Sequence, residues 1–155
     1  MPIFSDLQSH ARRYEKLKSV FAEFHANVLT LPQFGGPPPE MEKLVVGELV
    51  GGTHFDLTMA GTTVRVGFSY LPGQHGIHGV MTGHVIDPST SLPLNVFTTL
   101  TFTGHSETTM HHKNGNAMML NDKVSAHWVA ATLMSDGLHR RGGAQLPPAY
   151  AKLAK

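Results

Sequence analysis

Residues Thr62 to Asp87 read TTVRVGFSYLPGQHGIHGVMTGHVID, and their pattern sets the fold class. Val64, Val66, Phe68 and Tyr70 alternate with Thr63, Arg65, Gly67 and Ser69, so an extended chain places an apolar row on one face and a polar row on the other. That is the signature of a half-buried antiparallel strand. Pro72 supplies a fixed φ and Gly73 tolerates φ > 0, which predicts a reversal there and a returning limb from Ile77 to Ile86. The limb contains Gly79 and Gly83, and glycine inside a strand marks a bulge or a place where another group approaches the backbone.

Strand signals continue on both sides. Leu44 to Val50 and His54 to Ala60 flank a Gly51-Gly52 turn, and Phe55, Leu57 and Met59 alternate with His54, Asp56 and Thr58. Downstream, Leu94 to Thr103 is rich in β-branched and aromatic residues, Gly104 ends it, and Lys113-Asn114-Gly115-Asn116 joins residues 106–112 to Ala117–Leu120 as a hairpin. Short strands with tight turns describe a meander.

Before the strands, Leu7, His10, Tyr14, Leu17, Phe21, Phe24, Val28 and Leu31 recur at spacings of three and four. Ser5 and Gln8 fit a capping box, and Pro32 ends the pattern, which predicts an amphipathic helix of about 24 residues, roughly 36 Å long. His10 is the one polar member of the row. A heptad seam would suit a helix-mediated dimer, but three aromatic rings fit poorly into the holes of a two-stranded coil, so packing on the sheet is expected. Residues 32–40, PQFGGPPPE, read as a stiff extended connector. Asn121 to Gly137 is open to two readings, a helix capped by Asn121 or Asp122, or a strand with Val124, Ala126, Trp128, Ala130 and Met134 on one face. The strand is favoured, because Ala117–Leu120 is too short to stand alone. The expected fold class is therefore α+β: a long N-terminal amphipathic helix packed on a curved antiparallel sheet of six to eight strands, cystatin-like or barrel-like. Residues 1–137 form the domain and 138–155 a flexible basic tail.

The chain has 155 residues, 15% of them charged, with a formal net charge of +1. This lacks the basic excess of a nucleic-acid binder, and no nucleic-acid partner is expected. Without cysteine there are no disulfides, thiolate metal sites or cysteine nucleophiles. No apolar run approaches the 18 or so residues of a membrane span and the first residues lack a secretory core, so no membrane association and a cytoplasmic location are expected. Walker loops, a dinucleotide fingerprint and Gly-x-Ser-x-Gly are not present in the sequence.

Eleven histidines are the unusual feature. His75, His78 and His84 lie on the returning limb, and with Arg65 and Tyr70 they mark a candidate ligand-binding edge over Ser69–His84. Imidazoles from neighbouring strands could also converge on a transition metal such as zinc, which needs three or four donors, with His78, His105 and His111 as candidates; no cofactor is required by the pattern. The expected function is a non-enzymatic binding or protein-interaction module, working as a homo-oligomer or with a protein partner. No catalytic residue is assigned. The competing expectation is a small histidine-based metalloprotein or enzyme, a hydrolase, with Asp56 or Glu107 as a carboxylate partner. His75-Gly76-Ile77-His78-Gly79 resembles the His-Gly-Gly segment of hotdog-fold acyl thioesterases, and the resemblance implies thioester hydrolysis and a long central helix immediately after the segment. Pro147-Pro148-Ala149-Tyr150 matches the short pattern read by WW domains.

Overall fold

The computed structural model describes residues 2–31, 44–73 and 76–145, and the side chains of 3–31, 44–71 and 78–139. The expected connector at 32–40, His75, and the Pro-Pro-Ala-Tyr motif lie outside the described residues.

Helix α1 spans Pro2–Leu29. It begins three residues before the expected capping box, because Pro2 suits the first helical position, where the missing N–H costs nothing. Its buried row is Leu17, Phe21, Phe24 and Val28, joined by Val20 and Leu31, while Leu7 at the start of the predicted row is exposed. The chain turns out of α1 at Thr30, whose N–H and hydroxyl both donate to the Asn27 carbonyl.

Seven strands follow: β1 (Val45–Val46), β2 (His54–Met59), β3 (Thr62–Gly73), β4 (Gly76–Ile86), β5 (Pro93–Phe102), β6 (Glu107–His111) and β7 (Ala117–Met119). They form one antiparallel meander in sequence order, curled into a half-barrel, as the alternation predicts. Between β2 and β3 the loop is only Ala60 and Gly61, both at positive φ, with Met59 paired directly to Thr62. This is the two-residue geometry whose twist matches a hairpin.

Four boundaries differ from the sequence reading. β1 is two residues rather than seven, because the Gly47 carbonyl is taken by the His25 ring, although Val50 still bridges His54. The β3–β4 reversal is not at Pro72-Gly73; pairing continues through Pro72↔Ile77 to Gly73↔Gly76. In β5 the register slips, with Gly83 opposite Thr98 but His84 opposite Val96, so an extra residue lets both Phe97 and Thr98 reach the α2 side. Residues 123–145 are helix α2 (Lys123–Gln145), not a strand, and the helix runs on through Gly137. Asp122 decides this: its carboxylate accepts from the Ser125 N–H at 3.1 Å and its carbonyl from the Ala126 N–H, capping the first turn. Burial then follows a helical period, Ala126, Val129, Ala130, Leu133 and Met134 being covered while Val124 and Trp128 are exposed.

Both helices pack on one face of the sheet, and the core lies between. The Phe21 centroid is 5.6 Å from that of Phe68, 5.7 Å from Phe55 and 6.2 Å from Phe24. The space at Gly79 and Gly83 of β4 is filled from within the chain. A Cβ on Gly79 would collide with the Phe102 ring, and one on Gly83 would crowd Phe97 at 2.8 Å. The close approach that glycine in a strand announces is that of an aromatic side chain of the same molecule.

Candidate functional site

The sheet offers two surfaces, and the predicted residues divide between them. On the open face, away from the helices, Asp56, Arg65, His84 and Val96 stand in one row across β2, β3, β4 and β5. Arg65 clamps Asp56 through two bonds, Nε to Oδ1 at 2.9 Å and a terminal nitrogen to Oδ2 at 3.2 Å. The carboxylate raises the Arg65 pKa above its already high value, chiefly through that hydrogen bond, so the guanidinium is a fixed positive charge. Beside it, His84 donates from Nδ1 to the Leu94 carbonyl at 2.8 Å, which leaves Nε2 free of that bond. The start of β5 next to this ring is apolar and exposed: Leu92 is 64% accessible, Leu94 47% and Val96 46%.

Tyr70 lies on the other face, under α1. Its hydroxyl is 2.5 Å from His10 Nδ1, and His10 Nε2 is 3.6 Å from Asp6 one helical turn earlier. Tyr14 packs edge-on to Tyr70 and stacks on Phe68. Of the five predicted binding residues, then, Arg65 and His84 are neighbours, Tyr70 is on the opposite surface, and His75 lies outside the described residues. His78 pairs with Leu71 towards the far end of β4, and its buried Nδ1 meets no hydrogen-bond partner among the described residues. For the metal set, His105 sits in the β5–β6 turn and His111 at the opposite end of β6. Among the described residues no three of His, Asp or Glu form a group that could hold a metal ion.

Several other histidines have structural duties that the sequence did not reveal. His25 is buried against Phe55, with Nε2 donating to the Gly47 carbonyl at 2.8 Å. His127 Nε2 ties α2 to the end of α1 through the Asn27 carbonyl and the Thr30 hydroxyl. His112, Ser125 and Asp122 have the residue types of a hydrolytic triad but not its proton path. The Ser125 hydroxyl donates to the Asp122 carboxylate at 3.0 Å, so it can only accept from His112 Nε2 at 2.9 Å. That cluster caps a helix.

His10 is what the sequence reading missed as a site residue. Its signal was present, a polar residue in an apolar helical row with a carboxylate four positions earlier, but its partner is sixty residues away. The segment likened to the hotdog thioesterases runs into strand β4 rather than a central helix. No helix among the described residues is long and apolar enough to cross a membrane. No protein-family model, no curated protein and no solved structure matches the chain.

Proposed function

We propose that the chain is a non-enzymatic binding or protein-interaction module acting as a homo-oligomer, with its binding face on the open side of β3–β5 around Arg65 and His84. The observation that carries this reading is the exposed apolar group Leu92, Leu94 and Val96 set beside His84, whose neighbour on the next strand is the fixed Arg65 guanidinium. Exposed apolar groups that lie together mark interaction surfaces, and arginine beside them is a common interface composition. Other exposed apolar side chains occur at Ile3, Phe4 and Leu7 on α1 and at Val124 and Trp128 on α2. Light scattering behind size exclusion tests the reading. Wild type is expected at a mass of more than one chain, and Val96→Asp at the mass of one with an unchanged far-ultraviolet spectrum. A monomeric wild type contradicts the oligomer, and an undiminished mass in the variant contradicts the face.

A further inference from the structure

The contact between Tyr70 and His10 lies on the covered side of the sheet, two turns before α1 reaches Leu17, the first buried residue of its row. Helix α1 contributes to it twice. Helix α1 sets Asp6 and His10 on one face at an i, i+4 spacing, and the Tyr14 ring, 6.0 Å from that of Tyr70 and nearly perpendicular to it, fixes the phenol. In the neutral tautomer with its proton on Nε2, towards Asp6, the ring leaves Nδ1 to accept from the Tyr70 hydroxyl. The His10 side chain is 34% accessible and Tyr70 is half-buried, so neither residue is sealed in the core. A hydroxyl whose proton already points at an imidazole, itself backed by a carboxylate, is the arrangement that activates an oxygen nucleophile.

We propose that Tyr70 is an acyl-accepting nucleophile towards activated aryl esters, with His10 as its base and Asp6 as a positioning residue. The phenol oxygen bonds to the acyl carbon while its proton passes to His10 Nδ1. The bond from that carbon to the aryl oxygen breaks, and the aryloxide departs with the electron pair. The proton on the imidazolium, held meanwhile beside the Asp6 carboxylate, returns to solvent. The product is O-acylated Tyr70, one acyl group per chain. This goes beyond the binding reading and does not depend on it.

The test uses p-nitrophenyl acetate on the full chain at pH 7.5, with the acetylated positions read by peptide mass spectrometry. Tyr70 is expected to be acetylated at least tenfold faster than Tyr14 or Tyr150, which serve as references within the same chain. His10→Gln keeps a hydrogen-bond acceptor for the phenol but cannot take its proton, and is expected to slow Tyr70 acetylation about a hundredfold, the scale of general-base assistance. Asp6→Asn should slow it by a smaller factor. Tyr70 acetylation no faster than the other tyrosines, or equally fast in His10→Gln with unchanged circular dichroism, overturns the proposal.

Discussion

The two faces of the β3–β4 hairpin differ although they share one register. On the covered side Val66 faces Gly83, Phe68 faces Met81 and Tyr70 faces Gly79. Val66 and Tyr70 meet glycines, and the β5 rings Phe97 and Phe102 fill the space beside them. On the open side Arg65 faces His84, Gly67 faces Thr82 and Ser69 faces Val80, and neither helix lies over them. One surface is committed to folding, and the other carries the proposed binding face.

Substitutions on the covered face should therefore be costly to folding. Phe21→Ala removes a ring packed among three others and should cost about 3–5 kcal/mol, read as a fall in the urea midpoint. Gly79→Ala drives a methyl group into the Phe102 ring and should cost about 1–3 kcal/mol. If either variant unfolds like wild type, the covered face is not the core described. At the boundary between helix and sheet, Asp122→Ala should cost about 1 kcal/mol by uncapping α2. Arg65→Ala on the open face should change stability by about 1 kcal/mol or less, since its ion pair is partly exposed. A larger loss there would erase the contrast.

The smallest effect sits in the β4–β5 turn beside the open patch. Asp87 accepts from the Ser89 N–H and hydroxyl, which hold its carboxyl below the ordinary value, the backbone bond contributing most. A lowered pKa in the folded chain means a contribution present above the unfolded value, about 3.9, and lost as pH falls through the folded one. Asp87→Asn should therefore narrow the gap in urea midpoint between neutral and acidic solution.

The central strands, the turns at Gly51-Gly52 and Asn114-Gly115, and the apolar half of α1 were legible because each is a local pattern. The α2 assignment failed locally. Val124, Ala126, Trp128, Ala130 and Met134 suit period two as well as helical spacing, and the Asp122 cap that decides between them is a matter of hydrogen bonds. The placement of candidate residues was legible only where strand parity governs, as for Arg65 and His84, which pair on one face. The Tyr70–His10 contact joins a strand to a helix across sixty residues, and no spacing rule reaches that far. Histidine count misled as well, since His25, His112 and His127 serve helix ends and a strand edge.

The division between faces is tested most directly by hydroxyl-radical footprinting at high and low protein concentration. Labelling of Leu92, Leu94 and Val96 is predicted to fall as the concentration rises, while labelling of Trp128 and of Ile3, Phe4 and Leu7 stays constant. Unchanged labelling at Leu92–Val96, or protection appearing instead on α1, would contradict the account.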